Sequence, residues 1–231
     1  IAHVQAMAGI ETVLLDVDQA NAEKGKAYSK RILDKQVSRG KMTQEKADGI
    51  LSLITPSTDY SLIKGADLVV EAVFEDTELK AKVTKMAEEH LADTAVMGSN
   101  TSTLPITGLA EASIRPENYI GIHFFSPVER MGLVEIILGD KTTEETLAKT
   151  IDYVLKIRKT PIVVNDFRGF YTSRCFGTYT QEGMEMVLEG IKPAIIENVG
   201  RQAGMPMGPL EVSDSVGLDT ALKIGRQMAK A

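Results

Sequence analysis

The feature that most constrains this chain is a series of short apolar runs, each separated from the next by a charged, helix-patterned segment. "ETVLLDVD", "LITPS", "ADLVVEAVF", "AVMGSNTS", "YIGIHFF", "LVEIIL" and "TPIVVND" are rich in Val, Ile and Leu and read as buried strands. Between them, "IAHVQAMAG", residues 19–39, the stretch from Thr43 to about Ser52, "TELKAKVTKMAEEHL", "PITGLAEA" and "TEETLAKTIDYVLKIRK" read as helices. Gly9 and Gly40 serve as stop signals and Thr43 as an N-cap. This alternation predicts an α/β fold with a Rossmann-like, doubly wound parallel sheet. From about Phe167 the pattern changes, and "GFYTSRCFGTYTQEGMEMVLEG", "KPAIIENVGRQAG" and "PLEVSDSVGLDTALKIGRQMAKA" contain no strand signal. They predict a smaller, all-helical second domain. The expected division is 1–165 and 166–231, with the boundary near Asn165.

Bulk properties narrow the class. With 231 residues, 43% of them hydrophobic, the chain can bury a substantial core. A net charge of −6 argues against general binding to nucleic acid or to a membrane surface. The single cysteine, Cys175, excludes an internal disulfide framework and suits a reducing compartment. No apolar run is long enough to span a bilayer. His3, His90 and His123 show no metal-ligand spacing, so no metal is expected. Ile1 opens on what reads as a helix already under way, and "ALKIGRQMAKA" reads as a helix cut short. The expectation is a fragment of a longer chain whose first strand and glycine-rich turn lie upstream, and which alone binds a dinucleotide poorly.

Two features point to a nucleotide cofactor. Asp16 ends the first apolar run just after a helix, where an acid accepts hydrogen bonds from ribose hydroxyls in dinucleotide-binding folds and disfavours a 2′-phosphate. It also fits a plain strand end, as does Asp18. "VVEAVFED" carries a buried strand to the carboxyl edge of the sheet, with Glu75 and Lys80 following, although acids there also suit a helix start. A third feature points to chemistry. "GIHFFSPVERMGLVEIIL", residues 121–138, embeds His123 and Glu135 in apolar surroundings. Burying ionisable groups is costly unless they pair, so either these two meet or one of them points to water.

Taken together, "LVVEAVFED", "SNTSTLPI", "GIHFFSPVERMGLVEII", "GFYTSR" and "GMPMGPLEVSDSVGLD" resemble the L-3-hydroxyacyl-CoA dehydrogenase family along essentially the whole chain. The likeness leans toward the dehydrogenase part of the multifunctional fatty-acid oxidation complex α-subunit. It implies oxidation of (S)-3-hydroxyacyl-CoA to 3-ketoacyl-CoA with NAD in fatty-acid β-oxidation. His123 is then the general base, Glu135 its orienting partner, and Ser102 a catalytic and substrate-binding hydroxyl. On the cofactor side it implies Asp16, Val73, Phe74, Glu75, Lys80, Asn100 and Ser126. Ser173 is implied as a substrate contact. Ser126 and Ser173 stand where the short single-function enzymes of the family place asparagine, and a serine hydroxyl reaches less far.

The resemblance further implies a hydratase domain in the same parent chain, a thiolase subunit as partner, and a cytoplasmic location if the source is bacterial or the mitochondrial matrix if eukaryotic. Lys24, Arg31 and Lys35 share one face of the long second helix, which suits either phosphates of CoA or plain solvation. Met184, Met186, Met205 and Met207 read most simply as core fillers, with packing against a flexible acyl chain as the alternative. Two other readings stay open: an NAD-dependent dehydrogenase of a 3-hydroxy acid without CoA, and a catalytically silent binding or assembly module.

Overall fold

The structure is a computed structural model that describes residues 1–217. It divides into two compact units, Ile1–Phe170 and a second that begins at Tyr171.

In the first unit, α1 (Ala2–Met7) leads into β1 (Thr12–Leu15), α2 (Gln19–Ser38), α3 (Gln44–Ser52) and β2 (Ile54–Ser57). β3 (Leu68–Glu71), α4 (Thr77–Glu88), β4 (Val96–Ser99) and α5 (Ile106–Ala110) follow. β5 (Tyr119–Phe124), β6 (Leu133–Leu138), α6 (Glu144–Lys156) and β7 (Thr160–Asn165) complete it. The expected punctuation operates as chemistry requires. Gly9 and Gly40 take φ +77° and +68° beyond α1 and α2, a left-handed conformation that glycine adopts without steric penalty. The Thr43 hydroxyl accepts from Lys46 N at the start of α3.

β1 and β2 form a parallel pair, and β3-β4-β5-β6-β7 form a five-stranded sheet. The order follows the sequence, but the directions depart from an all-parallel sheet. β3, β4 and β5 are parallel, β6 runs antiparallel to β5, and β7 is parallel to β6. The physical reason is the short connection, residues 125–132. A parallel return needs a crossover of roughly a dozen residues or more, usually a helix. Residues 125–132 allow only a direct turn back, whereas α6 supplies the crossover from β6 to β7.

Both faces of the five-stranded sheet are covered. Ile120, Ile122 and Phe124 of β5, with Val134 and Ile136 of β6, pack with Val154 and Ile157 on one face. Tyr119 and Ile137 pack with Met97, Ile106 and Phe170 on the other. The side-chain period of two sends alternate residues into two separate cores, which is why these strands read as continuous apolar runs. Each fully buried Ile or Phe contributes about 1.5–3 kcal/mol.

The segment after β7 belongs to this unit. Both carboxylate oxygens of Asp166 accept from the first N–H groups of α5, Ile106 N at 2.8 Å and Thr107 N at 2.7 Å. Pro105, the N-cap residue there, has no side-chain group to do so. Gly169 N donates to Thr103 O at 3.2 Å. Gly169 and Phe170 both take positive φ, and the turn they make buries the Phe170 ring to 2% exposure.

In the second unit, α7 (Thr172–Leu188), α8 (Pro193–Gln202) and α9 (Pro209–Val216) pack through small residues. A Cβ on Gly183 would meet Pro209 at 2.6 Å, so α7 and α9 approach closely only because that side chain is absent. Glu197 Oε1 accepts from Leu210 N and Glu211 N and satisfies the first turn of α9. The methionines depart from expectation. Met184 and Met205 are exposed and Met186 and Met207 half-buried, because the contacts among the described helices run through Gly183, Gly200 and Pro209 instead. The reading of "ALKIGRQMAKA" as helix lies outside the described residues.

Gly121 leaves no room for a side chain beside the sheet centre. A Cβ there would lie 2.8 Å from both Ile106 Cδ1 and Ile137 Cβ. Gly121→Ala is expected to lower stability by about 1–3 kcal/mol, the usual cost of overpacking. Urea denaturation measures it, and an unchanged midpoint would mean that Ile106 and Ile137 give way freely.

Candidate active site

The antiparallel return of β6 answers the question posed by the two buried ionisable groups. His123 and Glu135 are directly opposed in the β5–β6 register, so their side chains leave the same face of the sheet. His123 Nδ1 lies 2.7 Å from Glu135 Oε2. Glu135 is fully buried and His123 is 7% exposed. An ionised carboxylate can only accept, so it calls for the proton on Nδ1 and leaves the Nε2 lone pair as the basic site of the ring. The imidazole also meets the Phe125 ring, with centroids 4.5 Å apart, and the Phe170 ring at 6.0 Å. These apolar neighbours restrict the ring and exclude water from the pair.

Beside this strand, the loop after β4 carries Asn100 and Ser102. Asn100 Oδ1 accepts from Phe124 N at 2.9 Å and ties the loop to the end of the His123 strand. Ser102 is held by Glu75. One carboxylate oxygen, Glu75 Oε1, accepts from Thr101 Oγ1 and Ser102 N, each at 2.8 Å, and from Ser102 Oγ at 3.1 Å. Thr103 N at 3.1 Å and Thr103 Oγ1 at 3.3 Å complete the set. Burial works to raise the Glu75 pKa. The Thr101 hydroxyl, the Ser102 N–H and the Lys80 ammonium outweigh it and hold the carboxyl below its ordinary value of 4.5.

Lys80 is enclosed. Its ammonium lies 2.9 and 3.1 Å from the two Glu71 carboxylate oxygens, 3.4 Å from Glu75 Oε2 and 3.4 Å from Val73 O, and the residue is 1% exposed. Three N–H donors therefore have protein acceptors, which places Lys80 as a brace of the site interior. Val73 enters the same cluster through its N–H, 2.6 Å from Glu71 Oε1. Phe74, by contrast, is 86% exposed at the carboxyl end of β3. Asp16 is exposed at the carboxyl end of β1, with Oδ1 accepting from Val17 N at 2.7 Å. Ser126 is exposed in the turn after β5. Ser173 lies in the first turn of α7, in the second unit. Lys24, Arg31 and Lys35 are exposed on α2, with Arg31 lying 5.5 Å over the Tyr28 ring.

Several members of the site escaped sequence reasoning. Glu71 and Ser99 looked like parts of apolar strands, and Asp166 and Phe170 like a linker. Lys159, whose buried ammonium donates to Val128 O and Met131 O at 2.6 and 2.5 Å, looked like a helix end. Lys159 thereby secures the turn that brings β6 back beside β5. A charged residue inside an apolar run, as in "LVVEAV", was the available signal for Glu71, because such a residue demands a buried partner.

Residues 1–167 match the family described as "3-hydroxyacyl-CoA dehydrogenase, NAD binding domain", and residues 169–231 match its C-terminal domain. The chain belongs to the 3-hydroxyacyl-CoA dehydrogenase family. Among relatives of this family, the fatty acid oxidation complex subunit alpha of Shewanella halifaxensis is 42% identical over 223 residues. That alignment covers 96% of this chain and 32% of the relative, so the chain spans about a third of the length of such relatives. FadB2 of M. tuberculosis superposes with a TM-score of 0.92 at 32% identity, covering 99% of this chain and 82% of that one. The (S)-3-hydroxybutyryl-CoA dehydrogenase PaaH1 of Ralstonia eutropha also gives 0.92, at 33% identity, covering 96% and 80%.

NAD is the cofactor of this domain. The residues present suit it: an exposed acid at the end of β1, and polar loops at the carboxyl ends of β3 and β4, where open α/β sheets bind nucleotides.

The Glu75 hub predicts a pH signature. A carboxyl whose folded pKa is depressed contributes stability that is present above its unfolded pKa and is lost as pH falls through the folded one. The stability gap between the native protein and Glu75→Gln is therefore expected to be fully present at neutral pH and to close as pH falls below the ordinary carboxylate range. Chemical denaturation across that range measures it, and a gap that is constant with pH would remove the ionised carboxylate from the hub.

Proposed function

We propose that this chain is the dehydrogenase part of a protein that oxidises (S)-3-hydroxyacyl-CoA to 3-ketoacyl-CoA in fatty-acid β-oxidation. The observation that carries the reading is the buried His123–Glu135 pair, at 2.7 Å across an antiparallel strand pair. With Nδ1 engaged by Glu135, His123 Nε2 takes the proton from the substrate 3-hydroxyl. Glu135 keeps the ring in that tautomer and offsets the charge of the imidazolium that results. NAD, when bound, would supply the acceptor for the hydride at C3. Ser102, held by Glu75, offers its hydroxyl to the reacting oxygen or to the cofactor. Asp16 accepts from the adenosine ribose hydroxyls and disfavours a 2′-phosphate by like charge. His123 then releases its proton to solvent and the cycle closes.

The acyl-CoA substrate follows the printed names of the relatives, two of which are a complex subunit and a hydroxybutyryl-CoA dehydrogenase. A hydratase domain in the same protein and a thiolase subunit beside it extend the reading to neighbouring steps on the same acyl-CoA. A cytoplasmic location accords with the bacterial relatives and with a sequence that holds a single cysteine, Cys175. Turnover of a 3-hydroxyacyl-CoA compared with its free 3-hydroxy acid, in the natural full-length protein, tests the substrate class. Equal rates would move the assignment to a dehydrogenase that does not use CoA.

His123→Gln is expected to lower kcat by roughly 10²–10⁴ with much less change in KM, because the proton moves only on the way to the transition state. Glu135→Gln should also lower kcat, and the double variant should match His123→Gln alone, since no imidazolium remains to stabilise. Stopped-flow NADH formation on the four proteins decides it, and fully additive losses would separate the pair. Asp16→Ala is expected to weaken NAD and narrow its advantage over NADP. An unchanged ratio of kcat/KM for the two cofactors would take Asp16 out of the site.

A further inference from the structure

The buried Glu71 carboxylate has no role in the proton path, yet it accepts four hydrogen bonds from three groups. Oε1 accepts from Val73 N at 2.6 Å and from Lys80 Nζ at 2.9 Å. Oε2 accepts from Lys80 Nζ at 3.1 Å and from Ser99 Oγ at 2.8 Å. Glu71, Lys80 and Ser99 are 3%, 1% and 0% exposed. A buried ion pair of this kind gains little stability over an apolar pair of the same size, because desolvation offsets its attraction. Its presence at the root of the site therefore calls for another explanation.

The connections outward supply one. Ser99 Oγ gives its proton to Glu71 and accepts from Thr101 N at 3.4 Å. Glu71 O accepts from Asn100 N at 2.7 Å. Lys80, held by Glu71, reaches Glu75 Oε2 at 3.4 Å, and Glu75 Oε1 in turn receives Ser102 N and Oγ. Glu71 thus reaches the loop 100–103 by two routes, one through Ser99 and one through Lys80 and Glu75. The same loop meets the His123 strand through Asn100 Oδ1 and Phe124 N.

We propose that Glu71 is a positioning residue of the dehydrogenase site, which acts through Ser99 and Lys80 to hold the Ser102 hydroxyl in register with His123. In this arrangement the Lys80 ammonium links the Glu71 and Glu75 carboxylates. The inference rests on the reading that Ser102 and His123 serve hydroxyacyl-CoA oxidation, and it adds Glu71 and Ser99 to the residues on which that reaction depends.

Ser99→Ala cuts one route and leaves the ion pair intact, so it is the first test. In the natural full-length protein, kcat is expected to fall by roughly ten- to a hundredfold, the scale set by small misplacements of a reacting group, while KM for NAD changes far less. Amide exchange followed by mass spectrometry on the cofactor-free protein should show the loop 100–103 exchanging faster while the β5 and β6 peptides keep their protection. Glu71→Leu combined with Lys80→Met removes both routes without leaving an orphaned charge. It should fold with a Tm near or above that of the native protein and lose at least as much kcat as Ser99→Ala.

Native kcat in Ser99→Ala, native loop exchange, or a loss carried wholly by KM would each overturn the proposal, whether or not the double variant folds. Absence of 3-hydroxyacyl-CoA oxidation in the native protein would sink the functional reading instead, while the exchange experiment would still decide the link from Glu71 to the loop.

Discussion

The structure depends on one constraint: a carboxylate and an imidazole buried at the same level of a sheet. Glu135 is fully buried, and a lone ionised carboxylate in that position would be heavily penalised. Only a partner directly across the strand pair removes the penalty, and the β5–β6 register supplies His123 there. Slipping the register by one residue would turn His123 toward the face that holds Ile122 and Phe124 and leave Glu135 unpaired. The pair is therefore a register lock as well as a chemical device. The turn over residues 125–132, the Lys159 ammonium that secures it, and the Phe125 and Phe170 rings all serve to keep that opposition.

The rest of the site follows the same logic of acids placed where donors would otherwise be unsatisfied. Glu75 gathers the N–H and O–H groups of a loop that has no regular structure of its own. Asp166 closes the start of α5, whose N-cap is a proline. Glu197 does the same for α9 in the second unit. Each acid comes from an element distant in sequence, so each fastens two parts of the chain while it satisfies backbone groups. The loops at the carboxyl ends of β3 and β4 are thereby held rigid by carboxylates such as Glu75.

Much of this was legible in the sequence, for identifiable reasons. The central strands β4, β5 and β6 were visible because burial on both faces leaves an uninterrupted apolar run, whereas β1 and β7, also read as buried, are half-buried or exposed; the helices were visible because Gly9, Gly40 and Thr43 carry local, mechanistic signals. Asp16 was placed correctly at the end of β1 because strand ends are set by where apolar residues stop. The methionines of α7 were misread as core because their spacing does not reveal which helix face the glycines reserve for packing. The direction of β6 was missed because alternation of strands and helices predicts parallel pairing, and only the length of the 125–132 connection argues otherwise.

What the sequence determined by itself is the inventory: seven strand-forming runs, the helices between them, a histidine and a glutamate twelve positions apart that could not both stay buried without a partner, and the family those motifs resemble. Those properties are local, set by side-chain chemistry and by periods of two and 3.6 residues. The tertiary structure decided which charges meet. It paired Glu135 with His123, enclosed Lys80 between Glu71 and Glu75, and set Asp166 on α5. Each choice joins segments whose proximity depends on strand order and direction, and hence on the packing of the whole unit, which no local pattern encodes.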